Sequence, residues 1–304
     1  MTQIDEDDRV DIDSLCEDCH GLLELSGGVY QLPHDSVREF LLETPASEFS
    51  ALADFWKIRG TAHQRLAEAC LAYLTLDVFD IERTTLSRGY DMEQLHGDYP
   101  LLRYSSLYWG DHIRKVGIDV AGHLDGLIHR FLLSPSHREV AMECMQNGLG
   151  RKRLRHHIGG QRYGFTLPLH LLALFDLGFL ISAYGGDQSA FLHKDGFGFL
   201  PIDYAVERSR KEAFDRILDR FLPGPEAERM AQNSAYPLAY AVAKFNWADS
   251  LRKLLDLGFD ANGRSARQNP LSCAAAWGHC VRFESYSMQM PILRQGMTKV
   301  TLPY

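Results

Sequence analysis

Pro168-Leu169-His170, Pro201-Ile202-Asp203, Pro237-Leu238-Ala239 and Pro270-Leu271-Ser272 are four variants of one phrase, and they decide how the chain is read. Their spacings are 201 − 168 = 33, 237 − 201 = 36 and 270 − 237 = 33. A period near 33 residues is the mark of stacked helix–turn–helix units. Proline suits the first helical position, because the N–H it lacks would have no partner there and its fixed φ fits the helix. Small or apolar residues follow in each unit: Leu172-Ala173, Ala205-Val206, Ala241-Val242 and Ala274-Ala275. Small side chains at that point let one helix lie close against the next unit.

The 304 residues suit about two domains. Hydrophobic residues make up 45% and charged residues 24%, the balance of an ordinary globular protein. A net charge of −8 argues against non-specific nucleic-acid binding as the main activity. No stretch approaches the roughly 18 apolar residues of a membrane helix. The start, Met1-Thr2-Gln3-Ile4-Asp5-Glu6-Asp7-Asp8, is unlike a secretion signal. The expectation is a cytoplasmic or nuclear protein, away from membranes, with its cysteines (16, 19, 70, 144, 273 and 280) reduced.

In chain order, residues 1–10 read as a disordered acidic lead, and a short helix is expected from Val10 to about His20. Gly21-Leu22-Leu23-Glu24-Leu25 and Val29-Tyr30-Gln31-Leu32 flank Ser26-Gly27-Gly28, the pattern of a β-hairpin. Ser36-Val37-Arg38-Glu39 is a capping box that opens the next helix. Helix, hairpin and helix together give a winged-helix-like order. Thr61-Ala62-His63-Gln64 reads as a second capping box, with Leu66, Cys70, Tyr73 and Leu74 on the face behind it. A polar loop is expected over roughly 80–98. After it, Leu101, Tyr104, Tyr108, His112 and Ile113 predict an amphipathic helix with an aromatic stripe. Residues 119–160 should form a helical connector ending in the basic junction Arg151-Lys152-Arg153-Leu154-Arg155-His156-His157. The lengthened 36-residue interval contains Pro223-Gly224-Pro225, which reads as a longer loop between units. The tail 281–304 has no periodicity.

The repeated phrase resembles the ankyrin repeat, Thr-Pro-Leu-His-x-Ala-Ala-x-x-Gly-His. Leu167 to His170 carries it in the first unit. Asp195 and Gly198 precede Pro201 in the second. Leu251, Leu254, Leu255, Gly258, Asp260 and Asn262 end the third, and Ala274, Ala275, Gly278 and His279 belong to the fourth. The resemblance implies about four degenerate ankyrin repeats over 161–280. A second resemblance covers 11–118, through Cys19-His20-Gly21-Leu22-Leu23 and His34-Asp35-Ser36-Val37-Arg38-Glu39-Phe40-Leu41. It continues at Ala62, His63, Leu66, Ala67, Cys70, Leu71, Tyr73 and Leu74, then at Tyr99, Pro100, Leu101, Tyr104, Tyr108, Trp109 and His112. This is similar to the segment after the nucleotide-binding core in fungal NACHT proteins, which are NLR-like STAND ATPases, many of them ending in ankyrin repeats. Nothing here fits Gly-x-x-x-x-Gly-Lys-Ser/Thr, the loop that would hold nucleotide phosphates. The chain resembles the back half of such a protein, lacking the ATPase core.

Other motifs read more plainly. Cys16-Glu17-Asp18-Cys19-His20 has the spacing of haem c attachment, and Cys16, Cys19 and His34 could be set out as zinc ligands. The first needs an exported haem protein, and the second lacks a completing pair. The expectation is therefore no cofactor and no metal. His170 and His279 sit at repeat positions where hydrogen bonds tie turns together. No Gly-x-Ser-x-Gly or His-Glu-x-x-His organises a catalytic group, so the chain is not expected to be an enzyme. DNA binding through the winged-helix-like part is disfavoured, because Asp35, Glu39 and Glu43 outnumber Arg38 on its last helix.

What remains is a mainly α protein: a winged-helix-like and helical N-terminal region, then an ankyrin solenoid acting as a protein–protein scaffold. The alternative is a regulatory remnant or subunit acting in trans on a NACHT ATPase. Partner contacts are expected on the concave face, at Phe197 and Phe199 in the second unit, Lys244 and Phe245 in the third, and Arg267 and Trp277 in the fourth. Self-association is a further expectation, because an apolar end left without a polar cap seeks cover.

Overall fold

A computed structural model describes residues 15–27, 29–43, 53–80, 92–148, 166–220, 225–234 and 245–257. α-Helix accounts for 72% of them, so the protein is mainly α. The chain begins with α1 (Leu15–Asp18), the hairpin strands β1 (Glu24–Ser26) and β2 (Val29–Gln31), and α2 (Asp35–Glu43). The strands pair antiparallel, with Glu24 opposite Gln31 and Ser26 opposite Val29, which leaves a two-residue loop. Gly27 takes φ 59°, the left-handed conformation such loops require. The helix–hairpin–helix order expected from the sequence is present. Leu22, Leu25, Val29 and Phe40 are exposed, and among the described residues this unit adds no side chain to the buried core.

Next comes a bundle: α3 (Ala53–Leu74), α4 (Met92–Asp98), α5 (Leu101–Val116), α6 (Ile118–Leu133) and α7 (Pro135–Gly148). α3 packs against α5 and α6, and α5 packs against α7. Three expectations need correction here. Thr61 does not open a helix, because α3 starts at Ala53 and runs through it. The loop expected over 80–98 contains helix α4. The stripe expected on α5 holds only in part: His112 and Ile113 are buried, but Leu101, Tyr104 and Tyr108 are exposed, and Leu102, Ser105, Ser106 and Trp109 fill the inner face instead. Serines and Gly110 on the inner face allow close approach, and that packing outweighs the greater bulk of the tyrosines on the other side.

From Thr166 onward the chain makes pairs of short helices. α8 (Pro168–Phe175) is followed by a 3-10 turn at Gly178–Leu180, α9 (Ile181–Tyr184) and α10 (Gln188–Phe191). Then come α11 (Pro201–Glu207), α12 (Lys211–Leu218), α13 (Pro225–Asn233) and α14 (Ala248–Asp256). Pro168 and Pro201 each sit in the first turn, as their chemistry predicts. Asp176, Ser209 and Asn246 take φ 62°, 56° and 58°. Their spacings, 209 − 176 = 33 and 246 − 209 = 37, follow the rhythm of the prolines. A left-handed residue turns the chain sharply where a helix stops. α8 packs on α11, α11 on α12, and α12 on α14. The third and fourth prolines, Pro237 and Pro270, the junction 151–157 and the tail 281–304 lie outside the described residues.

One core runs through bundle and pairs. Trp109 is fully buried, with ring centroids 5.0 Å from both Phe131 and Phe175 in edge-on arrangements. Gly110 is the point of closest approach: a Cβ there would lie 2.2 Å from Cγ of Phe175. Arg138 on α7 ties the same regions by donating from Nε to the Thr166 carbonyl at 2.8 Å and from Nη1 to the Leu132 carbonyl. The Thr166 N–H donates to the Glu139 carboxylate. Burial pulls the Arg138 guanidinium down to about 10. It stays charged at neutral pH, which strengthens its bonds to both carbonyls.

Candidate functional site

The loop between α10 and α11 shows how the repeated polar residues work. Asp195 is fully buried and accepts three hydrogen bonds. Its Oδ1 receives the N–H groups of Phe197 (2.9 Å) and Phe199 (3.1 Å), and its Oδ2 receives the Tyr204 hydroxyl (2.7 Å). Gly198, at φ 85°, closes this turn. Asp203 Oδ2 accepts the Leu200 N–H at 2.8 Å, capping α11, and its Oδ1 accepts from Ser234, just past the end of α13.

His170 occupies the matching position in α8. Its Nδ1 accepts the Leu167 N–H at 3.0 Å. Nδ1 is therefore unprotonated, and Nε2–H is the donor, facing the carbonyls of His193 (3.1 Å) and Phe199 (3.2 Å). Burial holds this ring down to about 4, so it is neutral around pH 7. Its neighbours fix its tautomer, and it spends both nitrogens on structure. More bonds link the pairs. The Ala213 N–H donates to Asp176 Oδ1 at 2.8 Å, Arg210 Nε donates to the Leu174 carbonyl at 3.0 Å, and Ser250 donates to Asp215.

The expected partner positions fall in different places. Phe199 is 5% exposed and stacks near Tyr204, with ring centroids 5.6 Å apart, so it is a packing residue and not an open contact. Phe197 is half-buried against the core, and Phe245 packs on Trp247 at 5.2 Å. Lys244, Arg267 and Trp277 lie outside the described residues.

Two clusters were not singled out from the sequence. Where α3 meets α5, His63 and buried His112 bring their Nδ1 atoms to 2.9 Å, and the Tyr104 hydroxyl lies 3.0 Å from His112 Nε2. One proton sits between the two Nδ1 atoms, and the tyrosine completes the chain in either direction. Burial lowers the pKa of both rings, followed by Lys115 for His63 and by His63 itself for His112. Among the described residues no group of three His, Cys, Asp or Glu side chains could hold a metal ion. Cys144, beside His96 Nε2 at 2.9 Å, is buried, which raises its thiol pKa and keeps it neutral. It is not poised as a nucleophile.

The second cluster lines a partly enclosed cavity of about 350 Å³ between α5, α7, α8 and the turn after α11. Arg103, Arg208 and Arg210 face it, with Asp111 and an apolar wall that includes Leu107 and Phe175. The left-handed Ser209 reverses the chain between Arg208 and Arg210, placing both at the rim. Asp111 is shared: Arg114 lies 2.9 Å from its carboxylate and Arg210 lies 3.6 Å from it. Arg103 and Arg208 come together only in the fold, being 208 − 103 = 105 residues apart. No short sequence pattern could have revealed this site.

Compared with protein-family models, curated proteins and solved structures, the chain matches none of them. Among the described residues no helix is long and apolar enough to cross a membrane.

Proposed function

We propose that this chain is a non-enzymatic protein-interaction module: an ankyrin-type scaffold joined to the helical region that follows the nucleotide-binding core in NLR-like NACHT proteins. The supporting observation is the coincidence of two rhythms. Proline-opened helices recur in the sequence at 33, 36 and 33 residues, and left-handed helix stops recur at 33 and 37. Buried Asp195, Asp203 and His170 satisfy the turns between units, as a stack of repeats requires. Such stacks offer a concave face to protein partners, which here would draw on Phe197, Lys244, Phe245, Arg267 and Trp277. A cytoplasmic setting suits that role.

Co-purification of the full chain from cells tests this reading. Capture of defined protein partners is expected, weakened by exchanging Lys244 and Arg267 together while thermal stability is unchanged. A NACHT ATPase among the captured proteins points to regulation in trans. Micromolar binding of ATP or GTP with magnesium overturns the assignment to the part behind the ATPase core.

A further inference from the structure

The arginine-lined cavity collects positive charge in an acidic protein. Three guanidiniums (Arg103, Arg208 and Arg210) and the Asp111 carboxylate line it, while Arg114 pairs with Asp111 and Asp176 lies near Arg210. The chain as a whole carries −8. Asp111 is already divided between Arg114 and Arg210, and Asp176 is engaged by the Ala213 N–H. Arg208 Nε is buried without a hydrogen-bond partner, a costly state for a charged donor. Arg103 is exposed and makes no ion pair among the described residues. The fold therefore places cationic donors at one cavity and leaves their counter-charge incomplete. Arg210 feels this arrangement: burial lowers its pKa most, and Arg114 adds to the effect.

The ligand class follows from the lining. Guanidinium groups present forked N–H pairs that match tetrahedral or planar oxyanions. Several of them converging suit a dianion better than a single carboxylate. The opposite wall is apolar, with Leu107, Leu174 and Phe175, so the ligand carries an organic body as well as charge. A volume of about 350 Å³ is at the small end of ligand pockets. We propose that this cavity is a binding site for a small phosphate monoester, held by Arg103, Arg208 and Arg210 with its organic part against Phe175. This proposal does not depend on the scaffold reading.

Isothermal titration of the full chain with phenyl phosphate, inorganic phosphate and benzoate tests the assignment. Phenyl phosphate is expected to bind with a dissociation constant below about 1 mM. Inorganic phosphate, lacking the apolar part, and benzoate, lacking the second charge, should each bind at least about fivefold more weakly. Arg208→Gln should weaken phenyl phosphate about tenfold, the worth of one charge-assisted hydrogen bond. Arg103→Gln, at an exposed side chain with no ion pair to lose, should weaken it about threefold with the melting temperature unchanged, and so serves if Arg208→Gln fails to fold. Saturable binding that ignores Arg103→Gln overturns the proposal, as does no binding at 10 times the expected constant. Equal affinity for inorganic phosphate removes the organic body from it, and equal affinity for benzoate removes the phosphate.

Discussion

Between α3 and α7 the interior is held by side-chain packing, through Trp109, Phe131, Phe79, Ile113 and Ile128, all buried. Between α8 and α14 it is held as much by polar side chains bonded to backbone: His170, Asp195, Asp203 and Asp176. Packing depends on shape and tolerates several solutions. A buried carboxylate with three donors tolerates one. The bundle should therefore fail by cavity formation, and the pairs by orphaned donors.

The largest effect is expected at the centre of the bundle. Trp109→Ala removes the side chain that both Phe131 and Phe175 pack against, and should cost about 4 kcal/mol. Urea denaturation followed by circular dichroism measures this, and a loss under about 1 kcal/mol would show that the core does not pass through Trp109. Next is Asp195→Ala, which strands two backbone N–H groups and the Tyr204 hydroxyl. The same titration should show a loss of about 3 kcal/mol, with faster hydrogen exchange at Phe197 and Phe199.

Burial also lowers the pKa of His63, His96, His112 and His137 in the bundle, and His170 is the acid-sensitive histidine of the pairs. Its pKa falls from 6.5 when unfolded to about 4 when folded, so the unfolded chain takes the proton first. Protonation would also turn Nδ1 into a donor facing the Leu167 N–H. The stabilisation tied to the neutral ring is complete above pH 6.5 and lost as pH falls towards 4, about 3 kcal/mol in all. His170→Gln should be less stable at pH 7 yet lose less between pH 7 and pH 4.5. An unchanged acid slope would place the sensitivity in other groups. The smallest effect belongs to the hairpin. Leu25→Ser with Val29→Ser should shift stability by less than about 0.5 kcal/mol, since both side chains are exposed. Light scattering on that variant asks whether these exposed side chains drive self-association, which should decrease.

The two regions also differ in how far the sequence reveals them. In the pairs, each determinant acts over a few residues: Pro168 opens α8, His170 reaches Leu167, and Asp203 caps its own helix at Leu200. Such signals survive in one dimension. In the bundle, the buried face of α5 is chosen by what α3 and α7 bring to it, and amphipathic tyrosines look equally well placed on either side. Thr61 carries a sound start signal, yet α3 runs through it, because intrinsic preference is weak beside tertiary packing. The arginine cavity was invisible for the same reason: its cations lie on separate elements, and no local pattern joins Arg103 to Arg208.

Arg138 and Glu139 grip Thr166 from either side of residues 149–165, while Phe175 sits over Gly110. Every one of these grips is non-covalent and lies in the folded contact surface, not in the segment between. The arginine cavity is built across that same join, with Arg103 before it and Arg208 and Arg210 after it. Loosening the hold on Thr166 or Phe175 would therefore draw the cations apart, so the grip on Thr166 acts as a hinge pin for the charge cluster.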